Sequence, residues 1–469
     1  MRNRVAWPVV LSVVVPWIVV SAACNASISP AVTVAPTVTA APVATRTSAP
    51  PPSTTPAATP TRVPPTRVPA TATRTATRTP PPPSATPVPT PVPGSSHEEV
   101  FESAWQAVHD YYAYPDFNGL DWDAVHEEYG TRVRAATNDE AFYALMKEMI
   151  DALKDNHSRF LTPDEVRHED QRQAGGGDYV GVGFASFPLE EKRLGTIMLV
   201  WPDSPAAAAG LRAHDNILAI DGRPAVVPGE MYMTGLAGEE GTAVTVTMRT
   251  PGKLPHDVVL VRKRLPLPAP VIVKRLPGDI AYLMVPTFYD DTVVDRLIAA
   301  LDELAKDGPP FRGMVLDMRI NVGGMLTPAK QLWSLFTDGS VLHLIYHGGR
   351  YKITVQAQDV QGSQTLPLVV LAGPYSESLG EVTAGILQDL GRARVVGMQT
   401  KGNVELIQYI DFPDGSRLWL AQGIFLPRLH GDVVWNGVGI TPDVLVDAPW
   451  ETFPEDADPQ LQAALALLR

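Results

Sequence analysis

From Asn25 to Ser95 the chain holds 19 prolines among 71 residues, with no aromatic side chain, no lysine and no acid. The run "TPTRVPPTRVPATATRTATRTPPPPSATPVPTPVPG" is representative. Proline lacks the backbone N–H that helix interiors and central strands require, so neither element propagates through such a stretch. The composition favours extended polyproline II and supplies nothing from which to build a core. Residues 24–96 are therefore expected to form a solvated stalk. Any fold has to be made by the residues from His97 onward.

Ahead of the stalk the sequence reads "MRNRVAWPVVLSVVVPWIVVSAACNAS". Arg2 and Arg4 precede an apolar stretch broken by Pro8 and Pro16, and the small residues Ser21, Ala22 and Ala23 follow. This is the layout of a secretory signal over residues 1–23, and the apolar part is short for a spanning helix. The segment resembles a bacterial lipoprotein signal, although Ser21 stands where leucine is usual. That resemblance implies lipidation of Cys24, passage across the cytoplasmic membrane and anchoring at its outer face. Cys24 is the only cysteine of the 469 residues, so no internal disulfide is available. From His97 to the end, 31 basic residues face 51 acidic ones. A balance of −20 disfavours nucleic acid as a partner, because phosphate backbones select basic surfaces.

The globular part divides into three. Residues 97–170 carry apolar side chains at helical spacing, among them Trp105, Val108 and Tyr112, then Phe142, Leu145, Met149 and Leu153. Residues 171–265 alternate short strands with turns: "GGGDYVGVGFASFP", "IMLVWPDSPAAAAGLRAHDNILAIDGRP" and "GEMYMTGLAGEEGTAVTVTMRTPG". This segment resembles a PDZ domain of the bacterial protease-associated type. The resemblance puts Gly181, Val182, Gly183 and Phe184 in the carboxylate-binding loop. Their backbone N–H groups would hold the C-terminal carboxylate of a protein or peptide that adds as a strand. Residues 266–469 alternate strand and helix patterns, as in "DIAYLMVPTF", "DDTVVDRLIAALDELAKDG" and "LPLVVLAGPYSESLGEVTAGILQDLGRARVVG", which is an α/β arrangement.

In "GPYSESLGE" a serine at a strand-to-helix turn is either a helix cap or a nucleophile, since the helix N-terminus favours developing negative charge. The order of helical region, PDZ-like segment, "LDMRINVGG", "SESLGEVTAGILQDLGRARVVG" and "GVGITPD" resembles the C-terminal-processing peptidases, the S41 serine peptidase family. The resemblance implies a multidomain α/β protein: a crotonase-like core, an N-terminal helical region and an inserted PDZ domain. It implies an extracytoplasmic endopeptidase that cuts proteins near apolar C-termini. It makes Ser378 the nucleophile and Leu379 N–H one oxyanion donor, with Gly323 or Gly324 supplying the second.

The resemblance fails at the base. Members with a Ser–Lys pair carry the lysine 25 residues after the serine, in Thr-x-Gly-Lys; this chain reads Thr400-Lys401-Gly402-Asn403. An asparagine cannot accept the serine's proton. Three readings stay open. His157 in "DNHS" matches the histidine of the tricorn-like branch, and an unperturbed imidazole titrates near ~6.5, suited to base work. In that branch a late glutamate orients the histidine; its place is taken by Asn436 in "WNG", an amide orienter as in papain-like proteases. Lys401 is the alternative base, on the same face of an extended run as Asn403 but roughly 6–7 Å away along it. The third reading is an inactive PDZ adaptor that binds protein C-termini. No cofactor and no metal site is expected: the sequence has no cysteine cluster, and "RHED" lacks the i, i+4 pair of a zinc helix.

Overall fold

The computed structural model describes residues 96–469 apart from 156, 174–178, 228–234, 267–268, 347–348 and 432. The expected signal, the Cys24 lipidation site and the stalk lie outside the described residues.

Three helices open the fold: α1 (His97–Tyr111), α2 (Trp122–Arg134) and α3 (Asp139–Asp151). Ser96 and Glu99 close a reciprocal capping box at the start of α1, while Asp121 and Asn138 cap α2 and α3 through their side chains. The apolar faces meet as the periodicity predicts, with Val108, Phe142, Met149 and Leu153 essentially inaccessible. The region is not purely helical, however. After α3 the chain extends into β1 (Arg159–Leu161) before α4 (Pro163–Gln173), which runs past the expected boundary at residue 170.

The middle segment folds around an antiparallel sheet. Its strands are β2 (Tyr179–Gly181), β3 (Phe184–Leu189), β4 (Leu194–Val200), β5 (Asn216–Ile220), β6 (Arg223–Pro224), β7 (Ala243–Arg249), β8 (His256–Val261) and β9 (Lys263–Leu265). The order is β3-β4-β5-β7-β8, with β6 on β5 and a separate β2–β9 pair. A short helix, α5 (Pro205–Ala208), is capped by Ser204. Among the described residues β3 pairs only with β4, so its outer edge is open.

The last segment alternates as expected. It contains β10 (Ile272–Leu276), β11 (Ile280–Met284), α6 (Val293–Lys306), β12 (Gly313–Asp317), α7 (Leu326–Ser334), β13 (Gly339–Tyr346), β14 (Gly349–Val355), β15 (Leu368–Ala372), α8 (Leu379–Asp389), β16 (Arg394–Gly397), β17 (Glu405–Asp411), β18 (Arg417–Pro427), β19 (Val444–Leu445) and α9 (Pro459–Leu467). One sheet runs β10-β11-β12-β15-β16-β19, parallel except for β10. Its strands β11, β12 and β15 are buried throughout, as parallel strands covered on both faces must be.

The second sheet decides where the site forms. Strand β18 pairs with β17 along one edge, and with β1 and then β13 along the other. Strand β1 thus brings the N-terminal helical region into a sheet made otherwise by residues after 338. Ala421 of β18 fixes that attachment twice, its carbonyl accepting from Ala113 N and its N–H donating to Ser158 Oγ at 3.0 Å. The segment just before β1, which contains His157, is carried to the α/β core by these bonds.

Candidate active site

Strand β15 ends at Ala372, and the chain turns sharply before α8. Ser376 Oγ accepts from Gly373 N at 3.0 Å and donates to Met318 O at 2.9 Å, which commits this fully buried serine to holding the turn. Ser378 is different. It has φ +52° and ψ −127°, a backbone region that side-chain-bearing residues rarely occupy, and it sits at the N-terminus of α8. Such strain is what a nucleophile projected from a strand-to-helix turn requires. It is held from below: Ser378 N donates to Asn403 O at 3.0 Å and to Glu381 Oε2 at 3.2 Å. Glu381 is inaccessible, and burial raises its pKa against the pull of its donors. Those donors are Thr400 Oγ1, Gly402 N and Asn403 N, so Glu381 straps residues 400–403 to the start of α8.

The glycine turn lies directly against the serine. A Cβ on Gly323 (φ +87°) would stand 2.7 Å from Ser378 Cβ and 3.0 Å from both Ser378 Oγ and Leu379 N. A Cβ on Gly324 (φ +132°) would strike the Phe288 and Tyr289 backbone. Glycine is thus forced at both positions by close approach as well as by φ. The two are not equivalent as oxyanion donors. Gly323 N already donates to Asn321 Oδ1 at 2.8 Å, and Asn321 is itself fixed by Val285 O. Gly324 N has no such commitment among the described residues. Of the two expected donors, Gly324 N–H is the uncommitted one among the described residues, as is the Leu379 N–H in the first turn of α8.

Two polar clusters flank Ser378. In the first, Glu377 accepts from Lys401 Nζ at 2.9 Å and from Asn403 Nδ2 at 2.6 Å. The Lys401 ammonium is spent on this carboxylate and is 36% exposed. A lysine works as a base only when neutral, which takes burial away from carboxylates. The geometry around Lys401 therefore gives the lysine alternative no support.

In the second cluster, His157 Nδ1 lies 2.6 Å from Glu405 Oε2. A carboxylate in this contact accepts, so Nδ1 is the donor; in the neutral ring that arrangement leaves the lone pair on Nε2, the tautomer that a general base needs. Glu405 is 2% exposed and is stabilised there by further donors. Its Oε1 accepts from Tyr114 OH and from Asn436 Nδ2, the latter at 2.8 Å. Burial, then the Glu405 charge, pushes the Tyr114 phenol well above its usual range, so it remains a donor. The loop that carries His157 is equally fixed. Asp155 Oδ1 accepts from His157 N at 2.8 Å and from Ser158 N at 2.5 Å, while Asp155 Oδ2 accepts from Tyr112 OH at 2.7 Å.

Asn436 was expected to orient the histidine, and the structure places it one step away. Its Nδ2 reaches Glu405 and Tyr114 OH, its Oδ1 accepts from Val404 N at 3.1 Å, and it makes no hydrogen bond to His157. The residue on the imidazole is Glu405, which the sequence reading passed over. A signal for it exists: in "NVELIQYI" it is the one ionisable acid inside an apolar strand pattern, and such residues are rarely buried without a task.

Asn403 O holds Ser378 N, and Glu405, two residues on, holds His157. Two residues of extended chain span roughly 6–7 Å, so the imidazole and the serine belong to one neighbourhood. No hydrogen bond joins Ser378 Oγ to His157 among the described residues. Catalytic contacts of this kind commonly tighten only around bound substrate.

The segment expected to be the carboxylate loop has a side chain folded over it. Val182 and Phe184 are buried, and Gly183 takes φ +87°. The Tyr179 ring folds back over Gly181, where a Cβ would be 2.2 Å from the phenol oxygen. That oxygen faces the Val182 and Gly183 N–H groups. The middle segment meets the core next to the nucleophile turn, Phe187 packing on Tyr375 with ring centroids 3.7 Å apart. No group of residues able to hold a metal occurs among the described residues.

Comparisons with known proteins identify the family. Residues 279–446 match the model of peptidase family S41, and residues 93–151 match that of the tricorn protease C1 domain. The chain is 30% identical to a carboxyl-terminal-processing protease of Picosynechococcus sp. over 379 residues, covering 79% of this chain and 89% of that protein. A chloroplastic carboxyl-terminal-processing peptidase of Arabidopsis thaliana is 28% identical, with 74% and 68% covered. Among solved structures, a photosystem II D1 C-terminal processing protease aligns with TM-score 0.55 at 26% identity, covering 80% of this chain and 98% of the other.

Proposed function

This chain belongs to peptidase family S41 and is a serine-type protease of the carboxyl-terminal-processing kind, and on that footing we propose that Ser378, His157 and Glu405 are its catalytic triad. The single observation that carries the proposal is the 2.6 Å contact between His157 Nδ1 and a buried Glu405, on the same run of chain whose Asn403 carbonyl holds Ser378. His157 Nε2 takes the Ser378 proton as Oγ attacks the scissile carbonyl. The negative charge that develops on the carbonyl oxygen is met by Leu379 N–H and Gly324 N–H, with the α8 N-terminus behind them. His157 returns the proton to the leaving amine, and water completes the cycle through the same base. Asn436 and Tyr114 hold Glu405 in place.

The middle segment acts in this proposal as a PDZ domain inserted into a crotonase-like core. It receives apolar C-terminal tails along the open edge of β3, the tail carboxylate displacing the Tyr179 hydroxyl from the Gly181–Phe184 loop. The protein works outside the cytoplasmic membrane, held at its outer face by a lipid on Cys24, and the stalk sets its reach. Incubating the full-length protein, and its Ser378→Ala variant, with an unfolded protein ending in apolar residues tests the reading. Fragments mapped by mass spectrometry should show cuts near the C-terminus that Ser378→Ala abolishes. Tail binding without any cleavage would instead support an inactive adaptor.

A further inference from the structure

Arg159 stands two residues beyond His157, in β1, and has no acidic partner. Its guanidinium lies over the Trp419 ring, 3.7 Å from the centroid, and Trp419 stacks in turn on Tyr409 at 4.6 Å. The three are register partners on adjacent strands β1, β18 and β17. Arg159 Nε and Trp419 Nε1 are both buried donors with no acceptor, and no hydrogen bond or ion pair involves Arg159 among the described residues. The Nη end of the guanidinium, also without a hydrogen bond, is not sealed from solvent. Nearby charges are already matched. Arg417 pairs with Asp411 and Asp170, and Glu165 pairs with Lys147. Burial pushes the Arg159 pKa down, as an uncompensated cation requires.

The position of this group is as informative as its chemistry. Tyr289 follows Phe288, whose backbone bridges to Gly324 of the glycine turn, and its phenol lies near enough to Tyr409 for the two side chains to interact. A continuous aromatic wall therefore leads from the glycine turn to Arg159, while the other route from Ser378 to Arg159 runs through Asn403, Glu405 and His157. Desolvating a cation beside a catalytic base and leaving it unpaired is costly unless something binds there.

We propose that Arg159, with Trp419 Nε1–H beside it, forms a carboxylate-binding subsite of the catalytic cleft. It takes either the chain-terminal carboxylate of the bound polypeptide or an Asp or Glu side chain near the scissile bond. Both vacant groups are pure donors, a carboxylate is a pure acceptor, and the guanidinium fork matches its two oxygens. This proposal deepens the peptidase reading and rests on it for the identity of the ligand as polypeptide.

The test measures binding to full-length Ser378→Ala, so that it does not depend on turnover. One fluorescent peptide is made in four forms, with a free or amidated terminus and with Glu or Gln in the segment next to the cut site, and titrated against Arg159 and Arg159→Gln proteins. The Gly181–Phe184 loop also distinguishes acid from amide, so only the discrimination that Arg159→Gln removes is counted. Arg159→Gln should weaken one carboxylate form about tenfold or more while leaving the corresponding neutral form within about twofold. The pair that responds identifies the source of the carboxylate. Equal effects on all four forms, or none on any, would overturn the subsite. A melting curve guards against a merely structural role. Arg159→Gln should melt within about 2 °C of the parent or above it, and a fall of more than about 5 °C would make Arg159 a structural cation and sink the proposal. Absence of cleavage by the wild-type protein would count against the peptidase reading alone, since the binding result stands apart from it.

Discussion

The two sides of Ser378 carry the same components to opposite ends. On one side Glu377 meets a lysine and an amide at the protein surface, and the result is a neutralised ion pair. On the other, Glu405 meets an imidazole, a phenol and an amide in the interior, and the result is an imidazole anchored through Nδ1. Burial makes the difference. An exposed ion pair is weak, whereas a buried carboxylate that engages three donors holds the imidazole's Nδ1 as one of them. The position that a Ser–Lys member would use for its base is Asn403, and in the proposed triad the catalytic task falls to the histidine side of the serine.

The largest effect expected from breaking this contrast is at Ser378 and His157. Either alanine variant should lower kcat/KM by about 10³–10⁶, and the double variant should be little worse than either single one, because the two act as a unit. Glu405→Gln comes next, with a loss of about 10²–10⁴ in kcat and little change in KM, since the amide can present a donor to Nδ1 and favour the wrong tautomer. A transplant sharpens the point. In the Glu405→Gln background, Asn436→Glu should recover at least about tenfold, because residue 436 already contacts the same cluster. If the transplant lowers activity further, the carboxylate is needed at residue 405 itself. Asn436→Ala and Tyr114→Phe each remove one support of Glu405 and should cost about 10-fold in kcat. The smallest effect belongs to the other flank. Lys401→Met should leave kcat/KM within about threefold, as expected for an exposed ion pair.

What the sequence disclosed follows what periodicity and local chemistry can encode. Buried parallel strands such as β12 and β15 announce themselves as apolar runs, and Ser378 is marked by its place between a strand and the helix that Glu381 opens. His157 is legible only through likeness to a family, since nothing in "DNHS" by itself separates a base from a structural histidine. Glu405 is marked as unusual by its place in an apolar strand pattern, but its pairing with His157 is not legible, because it depends on strand β18 taking β1 on one edge and β17 on the other. That pairing brings residues 157 and 405 together across 248 positions. The Gly323 or Gly324 ambiguity had the same cause: only the Asn321 side chain, folded back onto Gly323 N, distinguishes them. Arg159 escaped notice because an arginine in an amphipathic run ordinarily meets water or an acid, and its isolation is a tertiary fact.

The account turns on the base, and active-site labelling reads it most directly. The full-length protein and its Ser378→Ala, His157→Ala and Lys401→Met variants would be reacted with a fluorophosphonate, and the second-order labelling rates compared. The account predicts that His157→Ala falls to the level of Ser378→Ala while Lys401→Met labels like wild type. Labelling that survives His157→Ala and disappears with Lys401→Met would contradict it and return the base to the lysine side of Ser378.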